Sequence, residues 1–402
     1  MALSLLYVAE GLPYGLFAQG IPLLARQQGA SLSKVGLTFL VFLPWALKGL
    51  WAPWVDTVSV PGMGRRRTWI VGTQAGLVAL LLGASTLFGG DVVTILPLVA
   101  VINVLSATQD IAVDGYAVSL LNERTRGYGN AIQVCGYKLG SVISGGLLLW
   151  VAGRHGWPVA CLALAALLAL LMPVGLRLRE PPDDTPATHE GARVVWRVVA
   201  RNLSHRPGAW ALLGLTLLCK VGESGASAML KPALVDRGFT TEDVALWVGT
   251  AGLVASLVGS ALGGVVVTLL SRRNALVVAL VLQAAGLLVL WPLLDAPGKA
   301  LGLGIVVEHL CTGVLTTVLF TFMMDAVDPR FGGTEYTLLA SLVVIGTGSA
   351  STFSGFVAER TGYAPLFAGA AALTLLMLAL VPAAERARAQ RKSPGLAGAL
   401  SA

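Results

Sequence analysis

Asp110 and Asp114, in the segment ATQDIAVDGY, stand four residues apart with Gln109 beside the first. On a helix that spacing puts both carboxylates on one face. Acids held close in a medium that disfavours charge can bind and release a proton, which is the chemistry of proton coupling. Their other reading is structural, an ion pair with Lys48, Lys138 or an arginine of the following loop. Lys138, in IQVCGYKLGS with Gln133 and Tyr137 nearby, can neutralise that pair or hold an anionic group of a substrate. Glu10, followed by Pro13 and Tyr14, is the acid of the first segment best suited to line a pathway.

Further along, Lys220 and Glu223 are three apart, close enough to satisfy one another on a helix. Glu308 and His309 are adjacent, so they point about 100° apart and one neighbour cannot hide both. His309 is the only one of the four histidines inside an apolar run, and imidazole titrates near neutral pH. It either lines the pathway or closes a hydrogen bond within the bundle. Asp325, with Asp328 and Arg330, reads as a helix-end interaction site.

The stretch Leu43 to Trp69, LPWALKGLWAPWVDTVSVPGMGRRRTW, puts a lysine inside an apolar run and an arginine triplet just beyond it. A lysine at membrane depth is penalised by roughly 2.5–3.5 kcal/mol on insertion scales, so Lys48 implies a partner or a watered cavity. Trp45, Trp51 and Trp54 can stack on a flat substrate or anchor the membrane interface; Trp54 fits the anchor and Trp45 stays open between the two. Asp56 with Arg65, Arg66 and Arg67 is expected to form a cytoplasmic gate, a charge network that breaks and reforms.

The elements that must position these groups are membrane helices. The chain has 402 residues, 55% hydrophobic and only 12% charged, against about a quarter charged in soluble domains. A membrane helix needs about 20 apolar residues, and twelve segments qualify: 3–24, 32–55, 69–88, 93–116, 129–151, 157–177, 209–231, 243–270, 275–294, 300–325, 335–357 and 364–382. The first lacks a basic leader and contains Glu10, Pro13 and Pro22, so it is expected to be retained rather than cleaved. With the chain starting inside, cytoplasmic segments hold 18 of the 28 Lys and Arg, opposite loops hold 6 and the spans hold 4. That bias places both termini in the cytoplasm and explains the net charge of +7 without a nucleic-acid partner.

A polar stretch near 179–208 divides the segments into six plus six: a bundle over 1–178, a cytoplasmic linker over 179–208, a second bundle over 209–382 and a cytoplasmic tail over 383–402. IPLLARQQGASLSKVGL from Ile21 resembles KPALVDRGFTTEDVAL from Lys231, and VAGRHGW from Val151 resembles VAERTGY from Val357. The two matches share an offset of 206–210 residues, the mark of a parallel repeat. Glycine pairs four apart, Gly72 and Gly76, Gly136 and Gly140, Gly259 and Gly263, suit close helix packing. The fold class is therefore an all-α polytopic membrane protein of twelve helices in two pseudo-repeats.

No phosphate-binding loop, HExxH or nucleophile elbow is present in a plausible context, which argues against an ATPase and an intramembrane hydrolase. Cys135, Cys161, Cys219 and Cys311 lie in apolar segments with no metal-ligand spacing and are expected to be free. Neither an enzyme activity nor a cofactor nor a metal site is expected.

Leu43-Pro44-Trp45, Lys48, Trp51-Ala52-Pro53, Asp56, Gly64-Arg65-Arg66-Arg67 and Trp69 resemble a signature of one branch of the major facilitator superfamily. That branch holds AmpG-type muropeptide permeases, RhtX/FptX-type siderophore permeases and acetyl-CoA transporters. Gln109-Asp110, Asp114, Arg126-Gly127, Asn130, Gln133, Gly136-Tyr137-Lys138 and Gly140 extend the resemblance over most of the first half; the second half matches by architecture. It implies a secondary transporter of the bacterial inner membrane, acting as a monomer on a small molecule. Its compact length and its opening EGLPYGLFAQGIPLLARQQG look more like the siderophore group, which implies proton-coupled import of a ferric siderophore. A muropeptide permease is the alternative, and a non-transporting receptor or membrane enzyme on the same scaffold a more distant one. On the siderophore reading, the substrate contacts Glu10, Tyr14, Trp45, Lys48, Gln133, Tyr137, Lys138, Glu223, Glu308 and His309, while Asp110 and Asp114 carry protons.

Overall fold

The computed structural model describes residues 1–28, 41, 43–87, 92–180, 192–239, 241–293 and 298–390. Among them the backbone is helical, with one isolated bridge between Val60 and Gly64. Helices satisfy their backbone polar groups internally, as lipid demands. The main helices are α1 Ala2–Gln27, α2 Leu43–Leu47, α3 Ala52–Thr57, α4 Arg65–Leu87, α5 Val92–Leu120, α6 Arg126–His155, α7 Trp157–Leu176 and α8 Ala192–His205. They continue as α9 Ala209–Leu218, α10 Val221–Asp236, α11 Leu246–Leu269, α12 Arg272–Leu293, α13 Gly298–Ala326, α14 Gly332–Thr361, α15 Tyr363–Leu376 and α16 Val381–Ala389.

Among the described residues eight helices, α4–α7 and α11–α14, are long and apolar enough to cross a membrane, or nine if the bent α15–α16 pair is one span. The three other expected segments are helical but shorter or interrupted. In α1 the apolar stretch is Ala2–Ala18. Between α2 and α3 the chain tightens into a 3₁₀ turn at Lys48–Leu50, and Pro53 sits in the first turn of α3, where its missing N–H costs nothing. Between α9 and α10 the break falls at Cys219 and Lys220. The start of the expected second span, residues 181–191 of the linker and the end of the tail lie outside the described residues.

One boundary differs in a telling way. The arginine triplet, expected in a loop before residue 69, forms the first turn of α4. Glu180 explains the extension: its carboxylate accepts the backbone amides of Arg65 at 2.9 Å and Arg67 at 2.6 Å, satisfying donors that a helix start leaves open.

Two compact units are present, and neither is one continuous stretch. Unit 1 comprises Met1–Leu121, Ile132–Arg197 and Pro329–Ser341; unit 2 comprises Asn122–Ala131, Val198–Asp328 and Leu342–Ala402. Unit 1 is centred on Leu12, Leu16, Phe17, Leu81, Ile102 and Leu168. Unit 2 is centred on Leu230, Leu287, Leu290, Ile305 and Phe367.

Polarity runs opposite to that of a soluble protein. Leu170, Leu269, Leu303 and Phe353 are exposed, whereas Glu10, Lys48, Asp56, Asp110, Asp114, Glu223, Glu308 and Asp325 are buried. Such a surface is solvated by lipid, and the charges need partners inside.

The second repeat match has the same local geometry in both copies. Gly156 has φ +88° between α6 and α7, and Gly362 has φ +85° between α14 and α15. Both are left-handed positions that favour glycine, followed by an aromatic residue that opens the next helix. Close packing also uses two of the three glycine pairs. A Cβ on Gly140 would lie 2.2 Å from the Val8 carbonyl oxygen, and one on Gly259 2.0 Å from that of Leu310. Gly72, by contrast, faces open space, so its pair with Gly76 does not mark a helix crossing.

Candidate functional site

In unit 1 the helices α1 and α5 and the Lys48 turn gather three carboxylates around one ammonium group. Lys48 Nζ donates to Asp110 Oδ2 in a buried ion pair. Lys138 is half-buried on α6, and it is Lys48 that neutralises Asp110. Asp114, one turn further along α5, accepts the Tyr7 hydroxyl at 3.0 Å and Gln133 Nε2 at 2.8 Å. Gln133 Oε1 accepts in turn from the Tyr336 hydroxyl at 3.3 Å. Glu10 is 2% exposed, and among the described residues neither of its carboxylate oxygens meets a hydrogen-bond donor.

An aromatic group adjoins this cluster. Tyr14 and Tyr137 lie 5.6 Å apart by ring centroids, Tyr14 and Trp45 6.2 Å, and Trp45 and Tyr137 6.3 Å. The edge-on and tilted geometries are those aromatic quadrupoles prefer. Lys48 Nζ sits 5.5 Å from the Trp45 ring centroid, within cation–π range. Trp45 Nε1 donates to Asn103 Oδ1 at 3.0 Å and Trp51 Nε1 to Thr108 Oγ1 at 3.0 Å, which turns both indoles toward α5. Trp54 is half exposed.

Unit 2 holds a second polar cluster. Lys220 Nζ lies 2.9 Å from Glu223 Oε2 and donates to Thr316 Oγ1 at 2.8 Å. Glu308 accepts from Gln283 Nε2 at 3.0 Å and Thr312 Oγ1 at 2.9 Å, and His309 Nδ1 stands 3.0 Å from its other oxygen. The two adjacent residues therefore contact each other directly. The imidazole turns back toward the preceding turn, where Nδ1 also lies 3.0 Å from the Ile305 carbonyl oxygen.

Two further charge networks sit at helix ends. In unit 1, Asp56 pairs with Arg66 at 2.5 Å, and its other oxygen accepts the Thr334 backbone amide at 2.7 Å and hydroxyl at 2.6 Å. Arg65 Nη1 donates to the Asp56 carbonyl oxygen at 3.0 Å. Of the triplet, Arg67 contributes its backbone amide to Glu180. In unit 2, Asp325 joins Arg126 at 2.5 Å and Arg272 on its other oxygen. Arg272 reaches the Val267 and Glu123 carbonyl oxygens as well.

Tyr7, Asn103, Thr108, Glu180, Arg272, Thr334 and Tyr336 escaped the sequence reading as site residues. Tyr7 could have been found, since it precedes Glu10 by three positions on one helix face. Thr334 and Tyr336 could not, because nothing local ties them to Asp56 or Gln133. Among the described residues no group of His, Cys, Asp and Glu could hold a metal ion, and none of the four cysteines is in a disulfide.

Residues 1–155 match the family described as acetyl-coenzyme A transporter 1, and residues 212–399 match the Major Facilitator Superfamily. The chain is 32% identical over 387 residues to the anhydromuropeptide permease of Escherichia coli K12, covering 94% of this chain and 78% of the permease. It is 30% identical to an uncharacterised protein of Haemophilus influenzae, covering 89% of this chain and 88% of that protein. By fold it resembles the major facilitator transporter FucP in its outward conformation, with a TM-score of 0.74, 15% identity and 98% of both chains covered. It likewise resembles the proton:xylose symporter XylE, with a TM-score of 0.74, 11% identity and 94% of both chains covered. This chain is a multi-pass membrane transporter of the major facilitator superfamily and belongs to its AmpG-type permease family.

Proposed function

We propose that the chain carries anhydromuropeptides across a bacterial inner membrane, inward, by alternating access driven by protons. The observation that carries this reading is the 32% identity, spread over 94% of the chain, with a permease of that cargo. The polar clusters are chemically suited to it. A sugar–peptide cargo offers pyranose faces to the aromatic group of Tyr14, Trp45 and Tyr137, and carboxylates and amides to Lys48, Gln133 and Lys138. Asp56 with Arg65, Arg66 and Arg67 would act as the gate, opening as Thr334 leaves its carboxylate.

The ferric siderophore drops behind this cargo. Compactness favours it, yet the chain also covers 91% of a putative transporter AmpG 4 of Rickettsia felis, so short length does not separate the two cargoes. The test is uptake of labelled anhydromuropeptide in a bacterial strain lacking its own permease, with and without this chain restored. Restored uptake that an uncoupler abolishes is the expected result. No uptake from membranes shown to contain the protein, with ferric siderophore entering instead, overturns it.

A further inference from the structure

The cluster in unit 1 does not balance its charge. Glu10, Asp110 and Asp114 supply three carboxyl groups, and Lys48 is the cation that faces Glu10 among them. Fully ionised, the cluster would hold two uncompensated negative charges away from water, which costs far more than binding a proton. The hydrogen bonds indicate where a proton goes. Asp110 has the Lys48 ammonium, and Asp114 has two donors, Tyr7 and Gln133. Among the described residues Glu10 has none on either oxygen, and it is nine-tenths buried or more. An ionised carboxylate without a donor is the least tolerable form in such a place, whereas a neutral carboxyl is tolerated.

We infer that Glu10 is a proton-carrying residue of the transport cycle, loaded in this conformation and emptied when the cycle admits water to it. This rests on the transport reading above and adds to Asp110 and Asp114 an acid that the sequence had placed only in the substrate pathway. The groups that face Glu10 are Lys48, Asp110 and Asp114, with the phenols of Tyr7, Tyr137 and Tyr336 around them. Its O–H bond breaks to water, and the carboxylate left behind is held by Lys48, which then serves Glu10 and Asp110 together. No other reactant is needed, and re-protonation from the opposite side restores the starting charge. Gly11, the next residue, keeps this position rigid: a Cβ there would lie 2.1 Å from the Tyr137 carbonyl oxygen, so α1 is seated directly on α6.

The substitution that tests this is Glu10→Gln, which imitates the protonated acid in shape and cannot release a proton. Full-length wild type and variant are reconstituted in phospholipid vesicles. The first measurement needs no substrate: the infrared band of protonated carboxyl groups at neutral pH. It is expected in the wild type and weaker by one carboxyl in Glu10→Gln; an unchanged band overturns the assignment. The second uses labelled anhydromuropeptide. Exchange against internal unlabelled cargo needs no net proton movement, so in Glu10→Gln it should persist while accumulation driven by a pH gradient falls to the level seen without a gradient. Wild-type accumulation in Glu10→Gln overturns the proposal. Absence of both exchange and accumulation in the wild type, with the infrared difference present, would sink the cargo and leave the proton site standing.

Discussion

Asp56 accepts both the backbone amide and the hydroxyl of Thr334, at 2.7 and 2.6 Å, across 278 positions of sequence. One carboxylate thus caps the start of α14 while its other oxygen holds Arg66. The cap works through the helix macrodipole as well as the hydrogen bonds, since an anion at a helix N-terminus meets unsatisfied N–H groups. Because the side chains of Asp56 and Arg66 are fully buried, removing either partner strands a charge.

Asp56→Ala is therefore expected to lower stability by about 3–5 kcal/mol, the usual range for breaking a buried pair from one side. Asp56→Asn keeps an acceptor for Thr334 and should lose less. Thermal unfolding of the detergent-solubilised protein checks the order of the two.

Lys48 and Asp110 should behave as a coupled pair. Lys48→Met alone leaves Asp110 uncompensated, and Asp110→Asn alone strands the ammonium. The double variant is expected to recover stability relative to either single variant, with an interaction energy of about 0.5–3 kcal/mol. Its uptake of cargo should remain lost, because the charge that would compensate Glu10 is gone. A double-mutant cycle on the unfolding midpoint, with uptake measured alongside, decides both points.

Asp325 holds two arginines, so the three residues should not act additively. Asp325→Ala removes the carboxylate from Arg126 and Arg272 together and should cost more than Arg126→Ala, which leaves the Arg272 pair intact. Equal losses in the two variants, read as unfolding temperatures, would show that the Arg126 arm carries the whole effect.

Gly140→Val puts a β-branched side chain where the Val8 carbonyl oxygen lies 2.2 Å from a Cβ. Backbone cannot give way there as a flexible side-chain tip would, so α1 must separate from α6. Loss of the monodisperse peak in size-exclusion chromatography is expected. Gly72→Val, placed in open space, should leave the peak unchanged and serves as the control.

Apolar runs of about 20 residues and the repeated VAGRHGW and VAERTGY turns were legible from residue order, because lipid admits helices and little else. The charged residues that matter were legible too: a Lys48, a Glu10 or an Asp110 in an apolar run is conspicuous without any coordinates. The sequence by itself determined that such charges had to be compensated. Only the tertiary structure decided by what: Lys48 chose Asp110 over the alternatives, Asp114 took Tyr7 and Gln133, Asp56 took Thr334, and Glu10 was left with no donor. Periodicity fixes the face of a helix a side chain occupies, but partners from other helices depend on how each helix is rotated and shifted along its axis. Small residues such as Gly140 and Gly11 set that rotation by backbone contact, and no spacing along the chain encodes it.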